Sequence, residues 1–561
     1  MMCARLLRSK EERGSGWFYR KSEEIFEAVL NFYRRSLSFA LRHGRLMMAM
    51  LFIVICLNFF LYIIIPKGFF PQQDSGALVG TIQADQSISF QSMQRKLITI
   101  MNIIRSDPAV DSLSGFTGGG RSNSGFMYIS LKPISERKVS ADQVMARLRP
   151  KLAREAGARL FLQSVQDIRV GGRSAGAAYQ YTLQAEDLTE LRLWEKRIKD
   201  AFNELPELTD VNTDEQDRGL QTSITFDRDT ASRMGITPAL LDATLNDYFG
   251  QRQVSTIYNP LNQYRVVMEA SAPNLQSPDS LKDVYLIIPP NTQLPNGAQV
   301  PLLSFASYGL TNTPLAVNHQ GQFAASTISF NLPLGVSLSQ ATVAIQKTMD
   351  RLGVPGSIRG SFQGTARTFQ DSLNSQPWLI LAALIAIYIV LGILYESYVH
   401  PVTILSTLPS AGVGALLALM LFKTEFSIIA LIGVILLIGI VKKNAILMID
   451  FALDKERKEG KKPEEAILEA CLMRFRPIMM TTMAALFGAL PLILLTGAGS
   501  ELRRPLGISI VGGLIVSQML TLYTTPVVYL YLDRFRLFCL KALERKSAPT
   551  PQRALEDTSK G

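Results

Sequence analysis

The sequence predicts an α-helical polytopic membrane protein of six spans carrying one large α+β region outside the bilayer. Three observations predict it. Six runs are apolar and long enough to cross a bilayer, at about 46–66, 376–395, 402–422, 426–451, 477–497 and 505–532. About 310 residues of mixed polar sequence separate the first run from the second, whereas the other five follow one another on short connections. Within that polar stretch, period-2 and period-3.6 patterns recur in the order strand, helix, strand, strand, helix, strand.

Charge sets the orientation. Arg5, Arg8, Lys10, Arg13, Arg20, Lys21, Arg34, Arg35, Arg42 and Arg45 precede the first span, and the loop from Leu453 to Arg476 holds seven more basic residues. Lys- and Arg-rich flanks stay in the cytoplasm. An even number of spans then returns the C-terminus there, with Arg534, Arg536, Lys541, Arg545 and Lys546. The large region lies on the far side, which in a bacterium is the periplasm. The net charge of +11 is thus topology information. With no groove-binding motif or aromatic platform, a nucleic-acid partner is excluded from the reading.

Cys3, Cys56, Cys471 and Cys539 all fall in cytoplasmic or membrane segments, so the exported region is expected to be held by its core without disulfides. No cleavable signal sequence is visible. Before the first span, Ile25, Val29, Phe32, Leu37 and Leu41 recur near helical spacing. They predict a membrane-surface helix, with a solvated amphipathic helix as the alternative.

The exported region opens with strand Ala77–Ala84, a helix marked by Phe90, Met93, Leu97, Ile100 and Ile104, and strands near Val110 and at Phe126–Leu131. A helix from Ala141 and a strand at Leu160–Leu162 complete βαββαβ, the order of the ferredoxin-like split βαβ. The pattern restarts with strand Tyr179–Leu183, a helix through Leu191, Trp194, Ile198 and Phe202, and a strand at Val211. Its second half comes later, as strand Thr327–Leu332, a helix through Leu338, Ala341, Ile345, Met349 and Leu352, and strand Ile358–Phe362. Between the halves sits an insert whose runs QVSTIY and YRVVME flank Asn259, Pro260, Leu261, Asn262 and Gln263, the pattern of a projecting hairpin. Such a hairpin is either ordinary sheet or an arm reaching a neighbour. The expected layout is 1–45 cytoplasmic or interfacial; 46–66 membrane; 67–374 periplasmic; 375–532 five further spans; and 533–561 a cytoplasmic tail. The periplasmic part divides into a first unit 67–165, a second unit 166–219 with 321–374, and an inserted hairpin-bearing docking subdomain 220–320.

No enzyme signature appears. The glycine-rich segment GFTGGGRSNSG, Gly115 to Gly125, lacks the P-loop lysine and reads as a flexible loop. His43, His319 and His400 are scattered without Cys or carboxylate clusters, so neither a metal nor a catalytic residue is expected. No ATP-binding module is present, so active transport would draw on an ion gradient or a partner.

The chemistry concentrates in FSIIALIGVILLIGIVKKNAILMIDF, where Lys442, Lys443 and Asn444 stand well inside an apolar run. Charge at membrane depth is costly and is kept for work. One lysine could snorkel, but two adjacent lysines point about 100° apart on a helix, so at least one is expected to face other helices. Gly439, one turn before Lys443, predicts a close helix contact on that face. A buried ammonium wants a carboxylate, and these spans offer only Asp450, near the edge. Either another chain supplies the acid or the lysine borders a watery path. Other polar residues needing partners are Arg474, Arg476, Thr481 and Thr482; a cytoplasmic helix is expected from Pro463 to Arg474, and the next span from Pro477.

The strings IPKGFFPQQDSG, YIVLGILYESYVHP, IGIVKKNAILMIDFAL, LMRFRPIMMTTMAALFGALPL and LTLYTTPVVYLYL resemble, in order and spacing, the second half of the resistance-nodulation-division efflux pumps. IQADQSISF, VQDIRVGG and FGQRQVSTIY place the likeness in the multidrug branch. The resemblance implies a proton-driven drug exporter of the bacterial inner membrane, without a bound cofactor. It also implies a trimer, alone or mixed with an MdtB-type subunit, working with the other half of the pump, a periplasmic adaptor and an outer-membrane channel. It assigns Lys443, Asn444, Arg474 and Thr481 to the proton relay, Phe116 in a switch loop and Tyr128 to the drug pocket, and Asn259, Pro260, Leu261 and Asn262 to a docking hairpin. The family's paired aspartates belong to a helix this chain does not contain. Two rival readings remain: an inactive truncated or split-gene product, and a non-transporting docking or secretion-assisting module.

Overall fold

The computed structural model describes residues 17–547 apart from 119–120, 169, 172–175, 276, 289, 291–296, 496 and 498. The start of the basic N-terminal stretch with Cys3, the middle of the glycine-rich segment, part of VQDIRVGG and the end of the basic tail therefore lie outside the described residues.

Helix α1 (Trp17–Arg42) precedes the first spanning helix, α2 (Gly44–Ile64). The first extramembrane unit follows as β1 (Ala77–Ala84), α3 (Phe90–Arg105), β2 (Val110–Thr117), β3 (Ser124–Leu131), α4 (Ala141–Leu152) and β4 (Ala158–Ser164). Its sheet order is β2-β3-β1-β4, every neighbour antiparallel. Alternation buries every second residue of β1, including Leu78 and Ile82, against Met93, Leu97, Ile100 and Ile104 of α3 and Val144 and Leu148 of α4. Ser89 caps α3, and Ser140 with Gln143 forms a reciprocal capping box on α4. Asp74 takes Arg137 in an ion pair and the Ala141 amide at 2.8 Å, anchoring the linker from the membrane to the start of α4.

The second unit uses β5 (Tyr179–Ala185), α5 (Leu188–Asn203), β6 (Thr209–Thr213) and, after the insert, the short β13 (His319–Gln320), β14 (Phe323–Asn331), α7 (Leu338–Leu352) and β15 (Arg359–Gln363). Here β14 pairs β5 and β5 pairs β15, while β6 and β13 both lie along the far side of β14. Leaving β13 aside, β6-β14-β5-β15 repeats the strand order of the first unit. The insert supplies β7 (Gly219–Phe226), α6 (Pro238–Phe249), β8 (Arg252–Tyr258), β9 (Gln263–Met268), β10 (Tyr285–Ile288), β11 (Ala298–Pro301) and β12 (Ala306–Thr313). Sheet β7-β12, sheet β10-β11 and α6 share a core of Leu241, Leu281, Leu286, Leu302 and Phe305. The β8-β9 hairpin stands outside that core, nearly every residue exposed. Its turn closes with the Asn259 amide donating to the Asn262 carbonyl at 2.8 Å.

The membrane block comprises α2, α8 (Thr365–Tyr395), α9 (Val399–Leu405) with α10 (Leu408–Leu421), α11 (Ile428–Glu459), α12 (Pro463–Leu494) and α13 (Ser500–Ser547). Six helical segments among the described residues are long and apolar enough to span. α13 is the hub, packing on α10, α11 and α12. Gly414 of α10 permits this approach: a Cβ there would stand 2.5 Å from the Gly512 carbonyl and 2.7 Å from Val516 Cβ.

Three expectations are corrected. The helix expected to end at Arg474 runs without a break through Pro477 to Leu494, because a proline removes one amide donor and neighbouring helices compensate at membrane depth. The third span is interrupted: α9 ends before Ser406 and α10 restarts at Leu408, with Pro409 in its first turn. The ends of the glycine-rich segment are strand, with Gly115 opposite Met127, Phe116 opposite Phe126 and Thr117 opposite Gly125.

Candidate functional site

Helix α11 continues through the two lysines to Glu459, so Lys442, Lys443 and Asn444 sit on an unbroken helix. Its inward arc is Leu437, Val441, Asn444, Ala445, Met448 and Ala452, all buried. Asn444, 6% exposed, donates through Nδ2 to Thr482 Oγ1 of α12 at 3.1 Å and to Gln518 Oε1 of α13 at 3.0 Å. Thr482 donates to the same Gln518 oxygen at 2.8 Å. Gln518 Nε2 rests 3.6 Å from Met479 Sδ. Three helices are thereby fastened by one buried polar knot with satisfied partners.

Lys443 is rotated away from this knot and is exposed; Lys442 is half-buried. The outward stripe of α11 runs Ile432, Leu436, Gly439, Lys443 and Asp450, at the spacing of one helix face. The close contact expected at Gly439 is absent among the described residues, since nothing lies within 4 Å of a Cβ built there. The reason is rotational: the small and medium residues that let α12 and α13 approach lie on the opposite arc. On α12, Met480, Met483 and Phe487 are also uncovered.

Arg474 is not joined to Asn444. Its guanidinium covers the Phe451 ring at 4.5 Å, and its Nε is buried without a hydrogen-bond partner among the described residues. Thr481 is half-buried and returns its hydroxyl to the Ile478 carbonyl at 3.1 Å. The structure therefore brings Asn444 to Thr482 and Gln518, and leaves Lys443, Arg474 and Thr481 in separate surroundings. Gln518 escaped sequence reading, although a glutamine inside the apolar run 505–532 is a signal of the same kind as Asn444.

In the first extramembrane unit, Phe116, Phe126 and Tyr128 form an exposed aromatic row on β2 and β3. Phe116 lies 5.7 Å from Phe126 and 6.4 Å from Tyr128 between ring centroids, so Phe116 belongs to a strand and not to a loop. The tip residues Asn259, Pro260, Leu261 and Asn262 project at the end of the β8-β9 hairpin, with Leu261 93% exposed.

A cavity of about 720 Å³ lies at the junction of the extramembrane units and the membrane block, lined among others by Phe69, Tyr179, Leu334, Glu425 and Arg504. Glu425, in the turn between α10 and α11, lies against Gly68, and burial pushes its carboxyl up to about 7. Tyr179, whose hydroxyl accepts from Gln72 Nε2 at 3.2 Å, is pushed up to about 12 by burial. Among the described residues no group of three or more His, Cys, Asp or Glu side chains could hold a metal ion.

The family model described as AcrB/AcrD/AcrF matches residues 1–533. Multidrug resistance protein MdtC of Yersinia pestis bv. Antiqua (strain Angola) is 61% identical over 536 residues, which is 96% of this chain and 52% of the relative. The protein of the same name from Yersinia pseudotuberculosis serotype O:3 (strain YPIII) matches equally. This chain thus spans about half the length of these curated relatives. The crystal structure of a heavy metal efflux pump aligns with TM-score 0.81 at 22% identity over 91% of this chain and 53% of that one, which establishes the shared fold. The matched family model and this identity over almost all its residues establish that the chain belongs to the AcrB/AcrD/AcrF family of resistance-nodulation-division multidrug efflux transporters, with MdtC-type relatives.

Proposed function

We propose that this chain acts as the C-terminal half of a proton-driven multidrug efflux subunit, exchanging protons for drugs in the bacterial inner membrane with its sheet-rich region in the periplasm. The observation that carries the reading is the split at Lys443 and Asn444: a buried amide knot holds α11, α12 and α13 together, while the neighbouring ammonium is turned to an uncovered face. A face of α11 bearing Ile432, Leu436 and Lys443 at membrane depth is suited to a second helical block that supplies a carboxylate. Pairing would hold Lys443, and protonation of the acid would release it and let the helices shift. Arg474 and Thr481 would act further along α12 as parts of the same relay.

The strand orders β2-β3-β1-β4 and β6-β14-β5-β15 support reading both extramembrane units as ferredoxin-like, with a cleft that opens and closes for drugs. Phe116 and Tyr128 would offer aromatic surface to apolar drugs, and the hairpin tip would dock into a neighbouring subunit of a trimer, alone or mixed with an MdtB-type subunit. A periplasmic adaptor and an outer-membrane channel would complete the export path. The chain spans 52% of its relatives' length, and Asp450 is the carboxylate that shares the Lys443 stripe.

The test supplies the rest of a full-length pump in trans and measures drug efflux beside membrane protein level. Lys443→Ala should abolish efflux at unchanged level, and Lys442→Ala should be mild. Equal losses, or a larger loss at Lys442, would sink the assignment. Efflux by the purified chain alone in vesicles would instead show that a second half is not required.

A further inference from the structure

At the end of the membrane block away from the sheets, His400 opens α9 and is 2% exposed, yet neither ring nitrogen meets a hydrogen-bond partner among the described residues. Its ring is stacked on Tyr529 of α13, centroids 6.0 Å apart and planes 21° apart, with Tyr395 of α8 at 6.2 Å on another side. The Tyr529 hydroxyl donates to Glu456 Oε1 of α11 at 2.7 Å. Buried Asp533 of α13 pairs with Arg536 at 2.7 Å, and Asp533, Arg536 and Arg457 all lie within electrostatic reach of the imidazole. The buried Tyr395 hydroxyl faces the Asp450 carboxylate. Asp450 is two helical turns from Lys443 on the same stripe of α11.

A buried imidazole left with two open nitrogens is expensive in a dry core and ordinary beside ordered water. With neither ring nitrogen bonded to a polar atom of the described residues, a bridging water on each side is the arrangement that satisfies both. We propose that His400 is a proton-carrying residue of a hydrated path that leads from the Lys443–Asp450 stripe to the cytoplasmic surface. The path runs from Asp450 past the Tyr395 hydroxyl to one ring nitrogen, and from the other nitrogen through the Tyr529 hydroxyl to Glu456. A proton taken from the protonated Asp450 carboxyl forms one N–H bond as the opposite N–H proton passes to the Glu456 carboxylate. The imidazole ends neutral, and one proton has advanced toward the cytoplasm. This inference rests on the proton-driven reading above and adds the residues on its cytoplasmic side.

Two measurements test it. With His43→Gln and His319→Gln, His400 becomes the single histidine of the full chain, and its imidazole N–H exchange can be followed by 15N-edited NMR in lipid nanodiscs. Exchange with bulk water within seconds is expected; a signal protected for hours would overturn the path. In the assembled pump, His400→Phe keeps the stack on Tyr529 and His400→Gln keeps a polar head, yet neither carries a proton. Both should cut drug-coupled proton flux about a hundredfold at unchanged membrane level and drug affinity. Full flux in both variants, with Lys443→Ala still inactive, would overturn this inference alone. An active Lys443→Ala would remove the relay reading beneath it.

Discussion

Lys443 and Asn444 are chain neighbours in opposite environments, a difference of about 100° of helix rotation. That rotation decides what each substitution does to stability. Asn444→Ala should lower thermal stability in detergent by about 1–2 kcal/mol, since Thr482 and Gln518 keep each other but lose a shared buried donor. Lys443→Ala should leave the melting midpoint nearly unchanged, and a comparable fall in both would contradict the packing described. Glu425 gives a pH signature. Its folded carboxyl sits at about 7, above the ordinary 4.5, so the folded state holds the proton more tightly than the unfolded chain. Stability from this group is full below about pH 4.5 and falls as pH rises through about 7, by about 1–3 kcal/mol. Glu425→Gln should flatten that window and raise stability at pH 8; an unchanged profile would refute it. At this scale the sequence announced the polar residues by their apolar surroundings but not their partners. Thr481 and Thr482 are identical in composition, and only the phase of α12 against α11 selects Thr482.

Elements were more legible than contacts. Alternation located β1, β3, β5 and β14, and apolar spacing located α3, α5 and α7, because each turns its apolar side chains to a core, although the polar alternates of β5 and β14 are buried as well. Prolines misled in the bilayer, since Pro477 reads as a helix start and in fact lies inside α12, where packing outweighs one missing donor. The Gly414 crossing was invisible because close approach depends on Gly512 and Gly513 about 100 residues later. Gly414→Val should therefore overpack the α10–α13 contact and cost about 1–3 kcal/mol, read as reduced membrane level and an earlier thermal transition. A variant with wild-type level and midpoint would show that the helices yield more easily than the 2.5 Å approach to Gly512 allows.

For the whole molecule, one span, a sheet-rich region and a five-span block were all readable from apolar length, because the bilayer fixes how long a helix must be. One sheet joins β5 and β6 to β14 and β15 across the intervening segment. What was not readable is which outer faces of the membrane block stay uncovered. Orientation is directly testable at the hairpin. Ser255→Cys lies on exposed β8 and should be labelled in intact cells, once the outer membrane is permeabilised, by a thiol reagent that cannot cross the inner membrane. Labelling only after the inner membrane is opened would reverse the topology. Removing residues 259–262 should leave the melting transition in place, because that tip contributes nothing to the neighbouring core, while weakening assembly measured by cross-linking.

Strand β15 ends at Gln363, and after the single residue Gly364 the chain enters α8, whose 31 residues run roughly 46 Å from a polar first third into the apolar span. Gly364 holds φ at +57°, a setting that suits a pivot better than any bulkier residue would. Sheet edge and membrane rod therefore share a single joint, as an oar shares its rowlock with the hull. A tilt of about 10° about that joint sweeps the far end of such a rod by roughly 8 Å. Small rearrangements among the spans can thus be geared directly to the edge strand of the second unit, and a stiffer joint would slow the stroke without touching either end.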